Sequence, residues 1–470
     1  LSSTQIAGLS VAQITSLDPA KLAALGTTQF SGLTATQVGA LSTAQAAALE
    51  GADVAVLGTA QIRSLSTGAM AAFSVDQIGA LTSAQAAALT TAQLAAISVD
   101  DMSGLTTSAL AALSSVQLQG FSSAQLAALS AEQLAQMGTA QVAALATTQL
   151  ATMTPEQLNN LSTAQFAHLS AAQVASLTTE QMANLAGDHL AALTTAQIGA
   201  LRTAQVAALT GDTLTSLTTA QAAALSSAQA RALDVTALSS METADLAALN
   251  TGAVAVLRDA QIDALSGDQL AALNSAQIRA LSTTQMARLD ADDVAALTSA
   301  QFAAMTTSQV ASLSQVQFAA LASEDLAAMG TAQLAALSPT NIASLSAEAV
   351  TGFTTAQMAA LTTAQIAALT TANVALLETA DLAALGSAQL RALSDGQLAA
   401  LQDTQLAALG SAQVAALSAT QLAGLDPTKL VALGTAQFAA MTTAQIAALT
   451  AEQAAALETA DIHAWNTAQM

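Results

Sequence analysis

Cysteine and tyrosine are absent from this chain, and aromatic residues of any kind make up 2% of it. Without cysteine there can be neither disulfides nor thiolate metal sites. Proline occurs four times and tryptophan once. Nine basic residues stand against 31 acidic ones, a net charge of −22. A surface of that sign repels nucleic-acid phosphates and anionic lipid, so neither is an expected partner. Ser, Thr and Gln recur throughout, so no run is apolar for long enough to span a bilayer and no membrane insertion is expected. Charged residues are only 9% of the chain. Ala, Ser, Thr and Gln are therefore expected to form most of the surface.

What fills the chain instead is one eight-residue unit, Leu-(Ser/Thr)-x-Ala-Gln-(apolar)-Ala-Ala, running from Leu1 without an insertion or deletion. Position one is always large and apolar: Leu1, Leu9, Leu17 and onward, with Phe73, Ile97, Met137, Met241, Phe353 and Trp465 as variants. Position six is likewise apolar, from Ile6, Ile14, Leu22, Phe30 and Val38 to Ile462 and Met470. A fixed short period marks a repeat architecture. The expectation is a single uninterrupted array over 1–470 of about 59 octads. Its first and last copies look like interior ones, although solenoids usually carry atypical capping repeats. The array is thus expected to be a segment of a longer repetitive chain, or a subunit whose ends stack on further copies.

Residues 361–368, Leu-Thr-Thr-Ala-Gln-Ile-Ala-Ala, show what one octad encodes. Ser or Thr at position two is a strong N-cap, and Gln three residues later completes a capping box. The apolar residues at positions one and six fall at N′ and N4, where they form a hydrophobic staple. The prolines test this register independently. Pro19, Pro155, Pro339 and Pro427 all stand at position three, the first helical residue, where a missing N–H costs nothing. Acidic residues such as Glu132, Glu156 and Glu180 fall in the first turn, where the helix dipole favours them. Glycines such as Gly26, Gly58 and Gly138 replace the Ser/Thr cap.

Because a new cap arrives every eighth residue, each helix has about six residues and a length of about 9 Å. Such a helix is unstable alone and needs neighbours. A single continuous helix is disfavoured: eight residues advance it by about 800°, so the apolar pair rotates by about 80° per copy and forms no stripe. A β-solenoid is disfavoured because Ala and Gln are poor strand formers and the apolar spacing alternates five and three. The expected fold class is all-α: a solenoid or superhelix of very short capped helices, one per octad. Positions one and six face inward. Position seven faces outward, where Arg63, Arg231, Asp263, Arg279, Arg391 and His463 stand; His168 and Arg288 are exceptions at the mostly small position eight.

Candidate chemistry is sparse. His168, His189 and His463 occupy positions eight, five and seven and read as surface decoration, since a metal site needs several converging ligands. Glu50 with Asp53, Glu242 with Asp245, Glu378 with Asp381 and Glu458 with Asp461 place Glu at the cap and Asp at N3. They read as capping pairs. A hard cation wants six to eight oxygens, which one octad cannot supply; the densest acidic groups are Asp290, Asp292 and Asp293, then Asp100 and Asp101. Rows of Thr at positions two and three could bind ice or accept glycans, but capping accounts for them. Trp465 reads as core. No catalytic, cofactor-binding or metal residue is assigned, no cofactor is expected, and no enzyme is expected. The string Thr-Pro-Glu-Gln at 154–157 is similar to the first helix of the TAL-effector repeat, but the basic helices and long repeat of that family are missing.

The octad resembles the Ala/Thr/Gln-rich repeats of very large bacterial secreted and surface proteins of the adhesin-like, hemagglutinin-like type. That resemblance covers the whole chain and is one of period and composition. It implies extracellular or cell-surface placement and a matrix or attachment role. The expected function is structural: an extended fibre or filament built by self-association, without catalysis. The alternative is a repeat scaffold, an adhesin stalk that binds a peptide, a glycan or a host-surface partner along position seven.

Overall fold

The computed structural model describes all 470 residues, Leu1–Met470. It contains fifty-seven α-helices, one 3₁₀ helix and no strand. Every α-helix begins at position three of an octad and runs four to six residues. The 3₁₀ helix, Asp100–Gly104, replaces the α-helix of its octad. The fold is the expected all-α repeat, one short capped helix per eight residues. No helix is long and apolar enough to cross a membrane.

Thr363–Ala368 shows how an octad starts and stops its helix. Thr362 is extended, with φ −73° and ψ 159°, and its side chain accepts the Gln365 N–H. Gln365 Oε1 accepts the Thr362 N–H at 2.8 Å in return, which closes the capping box. The helix ends where Leu369 returns to extended backbone at φ −56° and ψ 139°, its N–H still donating to the Ile366 carbonyl at 3.2 Å. No residue takes a positive φ, so the link between helices needs no glycine and Ala can stand at position eight. Pro19, Pro155, Pro339 and Pro427 each open a helix. Gly26, Gly58 and Gly138 occupy N-cap positions without a side-chain bond. Removing one cap should therefore be a local loss. Thr362→Ala is expected to cost about 1 kcal/mol, measured as faster amide hydrogen exchange in its own octad and those packed on it.

Packing divides the chain into two compact units, Leu1–Met241 and Glu242–Met470. The boundary falls after position one of an octad, and the octad register continues through it. Within each unit a helix packs on the helix three octads away: Ala35–Gly39 on Thr59–Ser64 in the first, Ser411–Ala416 on Thr435–Ala440 in the second. Positions one and six line the interior, as Leu361 and Ile366 show, while Thr362, Thr363, Ala364 and Ala367 are exposed. Phe30, Phe166, Phe302, Phe318 and Phe438, all at position six, are fully buried. Arg63, Arg231, Asp263, Arg279, Arg391 and His463 at position seven are exposed, as the pattern predicts.

Candidate functional site

A helix of five residues cannot satisfy its own backbone, because the last four carbonyls of any helix lack partners within it. The side chain at position five answers this need. Gln365 Nε2 donates to the Leu334 carbonyl at 2.7 Å and to the Leu337 carbonyl at 2.9 Å. These carbonyls lie 31 and 28 residues earlier, at positions six and one of successive octads. The same pair of bonds recurs in both units, as at Gln125 to Leu94 and Ile97 and at Gln445 to Val414 and Leu417. Each turn thus closes between three and four octads, and a ladder of amide side chains ties it to the turn before. Gln suits the position because it carries an acceptor and a donor on one head group: Oε1 holds its own cap and Nε2 holds the preceding turn.

This corrects the expectation that Gln lies on the surface. Beyond the first turn, where Gln5 and Gln13 are exposed, most position-five Gln are buried, with Gln205, Gln261 and Gln277 at 0% exposure. Capping alone gave no reason for burial; the inter-turn bond does. The missed signal lies in one absence. A capping box accepts Glu as readily as Gln, yet Glu never occurs at position five. A second oxygen there would face carbonyls instead of donating to them.

A minority of the substitutes at position five keep a donor; Asp and Ala, which do not, are more frequent there. Lys429 Nζ reaches the Leu401 carbonyl at 2.5 Å, Asn341 Nδ2 the Leu313 carbonyl at 2.9 Å, and Asn373 Nδ2 the Leu345 carbonyl at 3.2 Å. His189 belongs to this set, so its reading as surface decoration is corrected. It is 4% exposed, its Nε2 lies 2.5 Å from the Leu161 carbonyl, and its ring meets Phe166 edge-on with centroids 4.5 Å apart. Its Nδ1 lies 3.0 Å from Asp188 Oδ1, an oxygen already engaged by the His189 backbone N–H. His168 and His463 are exposed. Of the substitutes shown to donate, Thr213 makes the longest bond, with its Oγ1 3.4 Å from the Leu185 carbonyl. Thr213→Gln should restore the full pair of bonds and gain about 0.5–1.5 kcal/mol per bond before packing adjustments, read as slower hydrogen exchange around residues 185 and 213.

The acidic pairs sit on the same register. Asp53, Asp245, Asp381 and Asp461 are 3–5% exposed, and Asp53 Oδ2 accepts the Glu50 N–H at 3.2 Å. Burial, helped by the neighbouring glutamates, pushes the Asp53, Asp381 and Asp461 carboxyls up from the ordinary value. Burial does the same to Asp325, against a 2.9 Å bond donated by Ser299 Oγ. Asp290 and Asp293 cap each other's backbone N–H groups at 3.1 and 2.8 Å. Asp101 accepts from Ser98 Oγ at 2.5 Å. No three His, Asp or Glu side chains converge as metal ligands. Trp465 is half-buried rather than core, and its Nε1 finds no partner.

The outer face is made of positions two, three, four and seven. An open groove of about 440 Å³ in the second unit runs between Asp403, Thr404 and Ala407 on one turn and Thr428, Val431 and Ala432 on the next, and Lys429 Nζ lies 3.2 Å from Asp403 Oδ1. Arg288 forms a two-point pair with Asp263, its Nε donating at 3.0 Å, and that bond holds the guanidinium above its ordinary value. Arg391 Nε donates to the Ala416 carbonyl at 3.1 Å.

The sequence pattern described as the ALTTAQ repeat matches residues 16–50, 46–83, 151–186, 238–275, 268–299, 286–323, 326–371, 374–411 and 425–459, which together span about two thirds of the chain. No curated protein matches it.

Proposed function

The chain belongs to the ALTTAQ repeat family, and from that premise we propose that it is a structural repeat protein, one that assembles into a fibre or filament outside the cell and carries no catalytic centre. The observation that carries this reading is the position-five ladder. Each turn offers the next one a row of backbone carbonyls, and each turn brings the side chains that bond the row before it. Turns can then be added without new chemistry, so length is free to vary, as an extended element requires. The outward positions are largely Ser, Thr and Ala, which can approach a second copy with little desolvation of charge. An adhesin-like surface or matrix role, at the cell surface or beyond it, completes the proposal. Negative-stain electron microscopy of the purified protein over a range of concentrations tests it: filaments are expected, and isolated compact particles at every concentration would sink it.

The scaffold reading is favoured by one observation. Arg63, Arg231, Arg279 and Arg391 are all exposed at position seven, on an otherwise mostly uncharged row. A peptide or glycan captured stoichiometrically, and lost when these four arginines are changed to Ala, would establish that reading instead of the fibre.

A further inference from the structure

Some octads place Asp where the ladder uses a donor. Asp53, Asp325, Asp381 and Asp461 are each no more than 5% exposed. The carbonyls 28 residues earlier belong to Leu25, Leu297, Phe353 and Leu433. Within each unit, Gln at position five gives that carbonyl its Nε2, as at Gln85 and Gln365. A shorter side chain also reaches it: Asn341 and Asn373, which share the length and shape of aspartic acid, donate to the equivalent carbonyls at 2.9 and 3.2 Å. An ionised carboxylate has only lone pairs to offer, whereas the protonated acid carries one O–H donor.

The geometry points to an acid-set joint at each of these four octads: a proton taken up from solvent by the buried aspartate turns an acceptor into a donor toward the carbonyl 28 residues earlier and completes the ladder at that turn. The surroundings favour the neutral acid. Asp53 has Glu50 in its own octad and Asp76 on the packed helix Val75–Gly79, with no charged group on Thr27–Ser31. Asp325 has Glu324 beside it and Glu348 on Ala347–Val350, with none on Ser299–Ala304. Asp381 has Glu378 and, on Asp403–Ala407, Asp403, with none on Thr355–Ala360. Asp461 has Glu458 and His463 in its octad, with none on Thr435–Ala440. Ser299 and Thr355 hydroxyls partly support the ionised Asp325 and Asp381, but burial outweighs them and raises all four carboxyls. The sign follows. A group whose folded value lies above its unfolded one stabilises the fold fully below the ordinary 3.8, and that stability drains away as pH rises through the raised value. These joints tighten in acid and loosen toward neutrality.

The test uses the full chain and a fourfold variant, D53N/D325N/D381N/D461N, followed by hydrogen exchange with mass spectrometry at pH 4 and pH 7. Each variant is compared with the parent at the same pH. Asn supplies the donor at every pH. It is expected to slow exchange in octads 49–56, 321–328, 377–384 and 457–464 by about fivefold to tenfold at pH 7, and by much less at pH 4. The control, E132Q/E156Q/D268N/D395N, removes four exposed charges and should leave those octads at the parent rate. The inference is overturned if the Asn variant exchanges as the parent does at both pH values, or if the exposed-charge control slows the same octads as much.

Discussion

Phe318→Ala is expected to loosen its turn severely, while Ala319→Lys, one residue further on, leaves the array intact. Phe318 stands at position six with 0% exposure, and Ala319 stands at position seven in the open. Emptying the larger site removes the transfer energy of the ring and leaves a cavity, about 3–5 kcal/mol for Phe→Ala. The cavity is the decisive part. Ala already fills position six at Ala46, Ala86, Ala222 and Ala230, each fully buried, so the slot accepts a methyl group where its neighbours have packed for one. At residue 318 they have packed for a ring. Because each octad touches only nearby turns, the damage should stay local: hydrogen exchange is expected to quicken in Gln315–Ala319 and in the helices packed on it, Ala291–Ala296 and Pro339–Ala343, and not in the first unit. Lys at 319 adds a cation near a helix C-terminus, which the dipole tolerates or slightly favours. Comparable losses from both variants would mean that the inward and outward faces have been assigned to the wrong positions.

The facing of positions one, six and seven was legible because local rules decide it. A Ser/Thr cap, a proline at the first helical residue and an N′–N4 apolar pair specify where each helix begins, and the next cap specifies where it must end. Those rules act over eight residues, so reading one octad suffices. The ladder was not legible by the same route because its bonds join residues 28 and 31 apart, a separation set by how tightly the short helices coil. Gln365 looked fully employed as half of a capping box, and nothing within its octad required a second duty for its Nε2. His189 was misplaced for the same reason. Judged as an isolated histidine it belongs outside; judged as the occupant of a donor slot facing the Leu161 carbonyl it belongs inside. The avoidance of Glu at position five was the one trace of the ladder in the sequence, and it becomes meaningful only when the whole column is compared.

That avoidance leads to the harshest single change at the ladder. Gln365→Glu keeps the length of the side chain and the acceptor for the Thr362 N–H. It replaces the Nε2 donor with an oxygen aimed at the Leu334 and Leu337 carbonyls, now 2.7 and 2.9 Å from that atom. At pH 7 the variant must either bury a charge against two carbonyl dipoles or take up a proton against its solution preference. An uncompensated buried charge costs about 3–5 kcal/mol, and each unit by which the carboxyl is forced above its normal value costs about 1.4 kcal/mol, so the cheaper route sets the loss. Lowering the pH removes it. The folded value is raised, so stability is fully present below the unfolded value of about 4.3 and falls as pH climbs through the raised one. Two companions fix the cause. Gln365→Asn should be the mildest, since Asn341 and Asn373 natively keep the bond to the carbonyl 28 residues earlier. Gln365→Ala should lose about 0.5–1.5 kcal/mol for each bond removed and show no dependence on pH. Hydrogen exchange across residues 329–337 and 361–368 reads all three. At pH 7 the expected order of damage is Asn, then Ala, then Glu; at pH 4 the Glu variant should rank with Asn. A Glu variant as well protected at pH 7 as the Asn variant would mean that the turns are held by their apolar interior alone, and that the column of glutamines serves only the caps.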